Sequence, residues 1–110
     1  MQISTRESGD ATIVELVGDV SLYNSPEVRK ALLKVLQEKR APRVIINMKA
    51  VKYIDSSGVA SLVEGLKVSR DVGSRLILSG LSPAARQVLE LSRLIKLFEV
   101  YEDEAQALAS

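Results

Sequence analysis

Three short runs of branched aliphatic residues recur along this chain, and their spacing restricts the fold more than any other feature. "ATIVELV" occupies residues 11–17, "RVIINM" residues 43–48 and "RLILS" residues 75–79. Each is strand length and β-rich, and the last two are continuous apolar runs of the kind seen in strands covered on both faces. The intervening segments carry helical spacing instead. Val28, Ala31, Leu32, Val35 and Leu36 make one apolar stripe, and Val59, Leu62, Val63 and Leu66 make a second. Strands separated by helices pair in parallel, because each crossover returns the chain to the same end of the sheet. The spacing therefore predicts an α/β domain with a mostly parallel central sheet.

The connections refine this order. Residues 2–7 read as a first strand, turned at Gly9-Asp10 and paired antiparallel with residues 11–17. Asn24 or Ser25 can cap the first helix, with Pro26 in its first turn, and Ala41-Pro42 breaks it. Arg29, Lys30, Lys34 and Glu38 read as its solvated face. Gly73 closes the second helix, and Ser82-Pro83 opens a third carrying Val88, Leu89 and Leu91. "LFEVY" reads as a last strand and "DEAQALAS" as a short terminal helix. The expected order is β-β-α-β-α-β-α-β-α, one domain over residues 1–110 with about four helices.

Composition narrows the chemistry. Fifteen basic residues face fourteen acidic ones, so no net field favours nucleic acid, and aromatic stacking platforms are scarce. Cysteine is absent, which excludes disulfides and thiolate metal sites. Histidine is absent too, which removes the usual general base, the Ser-His pair and the commonest metal ligand. The phosphate-loop, dinucleotide and Gly-x-Ser-x-Gly motifs are missing. The expected protein is not an enzyme, needs no cofactor and binds no nucleic acid directly. With no apolar signal core and no run near 20 apolar residues, the expected location is the cytoplasm, without membrane insertion.

One motif stands apart. Asp55-Ser56-Ser57-Gly58 lies between a buried strand and the second helix, at the strand end where α/β sheets gather their sites. The residues themselves leave two readings open: a helix N-cap contributing about 1 kcal/mol, or a hydroxyl used as a chemical handle. On the helix that follows, Ser57, Ser61, Glu64, Val68 and Asp71 recur three and four apart, away from the core stripe. They form a candidate binding face. Val68, its single apolar member, also fits an isolated exposed valine.

"YIDSSGVASLVEGL" resembles the signature of STAS domains, the fold of bacterial anti-sigma factor antagonists. The resemblance runs along nearly the whole chain: "VELVGDVSLYNSPEVRKAL" is similar to the family's early strand, loop and helix, and "SRLILSGLSPAARQVLELSRLIKLFEVY" to its last strands and third helix. It implies that Ser56 is phosphorylated by the anti-sigma factor, a serine kinase with a histidine-kinase-like ATPase fold. The unphosphorylated antagonist binds that factor and so frees the sigma factor; a phosphatase resets the switch. The same resemblance makes Asp55 the residue that orients the loop, Ser57 a helix cap, and Gly58 the place where a partner's backbone comes close. It sets the loop "GDVSLYN" beside them, adding Asp19, Ser21, Tyr23 and Asn24 to the partner surface.

Two departures open an alternative. Ser21 stands where the antagonists often have a second acid, which removes a carboxylate able to pair with a partner arginine. Val59-Ala60 stands where Leu-Gly is common, a variant similar to STAS subunits of bacterial phospholipid-transport ABC systems, which contact an ATPase subunit. A direct catalytic use of Asp55 and Ser56 ranks below both, since nothing supplies a general base.

Overall fold

Strand pairing follows the spacing of the apolar runs. The computed structural model describes residues 1–110. It contains five strands: β1 (Gln2–Ser8), β2 (Ala11–Val17), β3 (Arg43–Ala50), β4 (Arg75–Ser79) and β5 (Glu99–Tyr101). They form one mixed sheet in the order β1-β2-β3-β4-β5. β1 runs antiparallel to β2 through a turn at Gly9, whose φ of 60° suits a residue without Cβ. The remaining pairs are parallel.

Four α-helices connect or finish the strands: α1 (Ser25–Leu33), α2 (Ser56–Val72), α3 (Pro83–Leu91) and α4 (Glu104–Ala109). α1 ends in a π-turn, Lys34–Glu38, rather than as one helix running to Ala41-Pro42. Val35 and Leu36 of this turn are both buried, as the apolar stripe required. Gly73 closes α2 in the left-handed conformation, as its sequence position implied. The last strand is shorter than "LFEVY", because Ile95–Leu97 coil into a 3-10 turn and only Glu99–Tyr101 pair with β4.

Alternate residues of the strands serve two cores. Val14, Leu16, Val44, Ile46 and Leu78 pack with Leu32, Leu36, Leu62 and Leu89 on the face covered by helices. Ala11, Ile13, Ile45 and Ile77 point the other way and pack with Ala107 of α4. The apolar runs are continuous because both faces are covered. In α3 the apolar positions divide: Leu89 is fully buried, Val88 is half-buried, and Leu91 is 77 % exposed. Leu91 lies two residues from Leu89, which turns it through most of a half-circle on a helix.

Arg43 fastens α4 to this sheet. Its guanidinium donates to the carbonyl oxygens of Ala107 (3.3 Å), Leu108 (3.1 Å) and Ser110 (3.3 Å), and to Asp10 Oδ1 at 2.8 Å. These carbonyls belong to the last turn of α4, where the helix ladder runs out of donors; Ala107 O also accepts from Ser110 N and Oγ.

Candidate functional site

The Asp55-Ser56-Ser57-Gly58 motif sits where the β2–α1 and β3–α2 loops are joined side by side. Val20 and Ile54 form a parallel bridge outside the named strands. Val20 N donates to Tyr53 O (3.1 Å), and Asp55 N donates to Val20 O (3.0 Å). Two carboxylates reinforce the seam reciprocally: Asp19 Oδ1 accepts from Tyr53 N at 3.1 Å, and Asp55 Oδ2 accepts from Leu22 N at 3.0 Å. Each acid holds the other's loop.

Asp55 also settles the capping question. Its backbone is extended, with φ −95° and ψ −177°, and its Oδ1 accepts from Gly58 N at 3.0 Å. Asp55 is therefore the N-cap of α2; Ser57 lies inside the first turn and is not the cap the resemblance implied. Ser56 is the first helical residue, and it is exposed. The first intrahelical bond runs from Val59 N to Asp55 O, so the amides of Ser56 and Ser57 precede the hydrogen-bond ladder.

The polar side chains of the early loop turn inward to hold its shape. Asn24 takes the N-cap position of α1 without capping it. Instead its Oδ1 accepts from Ser21 N, and its Nδ2 donates to Asp19 O, both at 2.7 Å. Ser21 Oγ accepts from Tyr23 N at 3.3 Å, and Ser21 O accepts from Ser25 N at 2.8 Å. Beside the exposed Asp19, the outward-facing side chains include three large apolar ones. Tyr23 is 93 %, Leu22 65 % and Tyr53 51 % exposed. Leu22 and Tyr53 were missed at the sequence level; their signal was apolar character inside loops, with no periodic partner to bury them.

Two expected surface residues lie inside. Gly58 is buried, and a Cβ there would meet Ile54 Cγ1 at 2.6 Å, Val20 Cγ1 at 2.7 Å and Val20 O at 2.9 Å. It allows the chain's own loops to close over α2 rather than admitting a partner's backbone. Ser61 is buried as well, and its hydroxyl donates to Ser25 O (3.1 Å) and Ser57 O (3.2 Å). That contact identifies the neighbour on this flank: α1. Glu64 continues it, accepting from Arg29 Nε at 2.5 Å. The hydrogen bond from Arg29, helped by the charges of Arg29 and Lys67, holds the Glu64 carboxyl below its ordinary range against the opposing effect of desolvation. Val68 is half-buried and packs on the main core. The flank carrying Ser57, Ser61 and Val68 is thus largely turned inward, with Glu64 partly exposed at its rim and reaching the groove on the other side. The open flank of α2 carries Ser56, Ala60, Val63 and Lys67, and it faces α3 across a groove.

No helix is long and apolar enough to cross a membrane. Residues 2–107 match the STAS domain family. The chain belongs to that family. This STAS domain is 24 % identical over 108 residues to the anti-sigma F factor antagonist of Paenibacillus polymyxa, covering 98 % of this chain and 92 % of that protein. Among solved structures, a Thermotoga maritima protein matches with a TM-score of 0.90 at 19 % identity, covering 97 % of this chain and 92 % of that one. The Bacillus cell fate determinant SpoIIAA, solved in its phosphorylated form, matches with a TM-score of 0.75 at 20 % identity, covering 98 % and 97 %. At these identities the two structures share the fold of this STAS domain.

Proposed function

We propose that this STAS domain is an anti-sigma factor antagonist that docks through its Ser56 end and is released when Ser56 is phosphorylated. The observation that carries the reading is the position of Ser56: exposed, first in α2, and joined through Asp55 to a loop presenting Leu22 and Tyr23. The names of the Paenibacillus relative and of phosphorylated SpoIIAA support the same role. The docking surface comprises Leu22, Tyr23, Tyr53, Ser56 and the exposed edge of Asp19. Ser21, Asn24 and Asp55 shape it from within.

The covalent step belongs to the partner, a serine kinase. Ser56 Oγ attacks the γ-phosphorus of ATP, the bond to the bridging oxygen breaks, and ADP leaves while a base on the kinase takes the hydroxyl proton. A phosphatase reverses the outcome by hydrolysis. The product carries about −1.5 to −2 charges at neutral pH. α2 tolerates them, since its N-terminus favours an anion. The docking surface does not, for two reasons. A phosphate would be desolvated among apolar side chains on binding. It would also repel Asp55, whose carboxylate positions Leu22.

Incubation with the anti-sigma serine kinase of the same genome and ATP, followed by peptide mass mapping, tests the reading. Phosphate is expected on Ser56, and Ser56→Ala should bind the kinase normally while resisting release. Ser56→Asp should bind at least about tenfold more weakly, equivalent to about 1.4 kcal/mol. Equal affinity for Ser56→Asp and wild type would overturn the charge mechanism. Absence of phosphate, together with stable co-purification of an ABC ATPase, would instead assign the domain to a phospholipid-transport system.

A further inference from the structure

The sheet ends differently at its two edges. β5 pairs over only three residues, Glu99–Tyr101, a length that discourages further pairing. β1 runs for seven, Gln2–Ser8, with no proline, no lysine and an unbroken register against β2. No helix packs closely against its backbone; α4 lies on β3, β4 and β5. Register fixes which of its backbone groups are free. Ser8 pairs with Ala11 across the two-residue turn Gly9-Asp10, and a turn of this length closes on a hydrogen-bonded pair. Bonded pairs alternate along an antiparallel ladder. Gln2, Ser4, Arg6 and Ser8 therefore bond β2, whereas Ile3, Thr5 and Glu7 turn their N–H and C=O groups away from the sheet. The same parity holds just past β2, where Gly18 N donates to the β3 side, to Ala50 O at 3.1 Å.

These free groups are self-complementary. Two copies of β1 placed antiparallel about a two-fold axis through Thr5 set Thr5 opposite Thr5 and Ile3 opposite Glu7. Every outward amide and carbonyl of the three residues then finds a partner. The side chains agree with this register. Arg6 falls opposite Ser4 and Glu7 opposite Ile3, so no like charges face each other directly, and paired threonines are favourable neighbours. The two Arg6 side chains meet only on the diagonal, and each is neutralised by its own Glu104. Neighbouring registers are worse. Centring on Arg6 sets arginine against arginine, and centring on Ser4 carries Glu7 past the end of the facing strand. We propose that two copies of this chain associate edge to edge through β1, in the register centred on Thr5, joining their sheets into one. A strand edge buries less than the about 1,200 Å² of a stable interface, so the dimer is weak and reversible. Because the strands oppose, the two Ser56 ends point in opposite directions and both stay open.

Sedimentation velocity over a rising series of protein concentrations tests this with the chain alone. A shift from monomer to dimer is expected, with nothing larger, since pairing uses up the long edge of each sheet. Thr5→Pro deletes an N–H that β2 does not use, at an edge position where proline is tolerated. It should raise the dissociation constant at least about tenfold, with a nearly unaltered melting temperature showing that the fold persists. Thr5→Lys, which sets two cations opposite each other, should also weaken the dimer. Cross-linking reads the register. The chain has no cysteine, so Thr5→Cys supplies a unique thiol, with its Cα about 5.5 Å from that of the second copy. Oxidation should link it into dimers. Glu7→Cys, also exposed and on the same face of β1, lies about 13 Å along the strands from its copy and should not link. Monomer at every concentration would overturn the proposal, as would a Thr5→Pro dimer as tight as wild type. Equal cross-linking at the two positions would overturn it too. None of these outcomes bears on phosphorylation of Ser56, so the two proposals stand or fall separately.

Discussion

Replacing Gly58 by alanine tests the packing on which the Ser56 end depends. In an ordinary exposed helix this change is favourable by about 1 kcal/mol, because alanine loses less backbone freedom. Here the added methyl would lie 2.6 Å from Ile54 Cγ1, 2.7 Å from Val20 Cγ1 and 2.9 Å from Val20 O. Side chains can rotate away from such a contact, but the carbonyl cannot move alone. Val20 O accepts from Asp55 N at 3.0 Å, so displacing it pulls on the residue that caps α2 and holds Leu22. Overpacking of this kind costs about 1–3 kcal/mol, and strain on the seam between the loops adds about 1 kcal/mol for a weakened hydrogen bond. Set against the propensity gain, the net expectation is a loss of about 1–3 kcal/mol. For a domain near this size that lowers the melting temperature by roughly 4–20 °C. Differential scanning calorimetry on Gly58→Ala measures the shift, and amide exchange at Leu22 and Tyr53 should quicken with it. A variant as stable as wild type, or more so, would refute the claim that this glycine exists for close packing.

Asp55→Ala removes both the N-cap bond to Gly58 N and the bond from Leu22 N. It should cost about 1–2 kcal/mol and broaden the NMR signals of Leu22 and Tyr23, whereas Ser56→Ala should leave stability within about 0.5 kcal/mol. Arg43→Gln should release the end of α4, raising hydrogen exchange over residues 104–110 and lowering stability by about 1–3 kcal/mol; unchanged exchange there would show that α4 is held by Ala107 alone. Stability should also decline in acid. Hydrogen bonds from Arg29 and Arg75 depress the Glu64 and Glu99 carboxyls below the ordinary value of 4.5. Groups lowered on folding stabilise above their unfolded value and lose that contribution as pH falls through the folded one. Urea midpoints should therefore drop below about pH 4.5 and less so in the Arg29→Met variant. Both pairs are exposed, so salt should diminish the effect.

The sequence by itself determined the sheet. Continuous aliphatic runs spaced by amphipathic segments admit parallel strands with cover on both faces, and β2, β3 and β4 appear where those runs lie. It also located the Asp-Ser-Ser-Gly corner, because a capping acid followed by small residues at the end of a buried strand has few other uses. The flank of α2 was a different matter. Ser61 and Glu64 look solvent-facing by periodicity, since a serine and a glutamate carry no mark of burial. Only the arrival of α1 buried Ser61 against Ser25 O and gave Glu64 an ion-pair partner in Arg29 at the rim, leaving Ala60, Val63 and Lys67 open. Helical spacing defines which residues share a side, but not which sides find neighbours. The same holds for Gly58, whose need for hydrogen in place of a methyl comes from Val20 and Ile54, residues distant in sequence and brought close by the pairing of two loops.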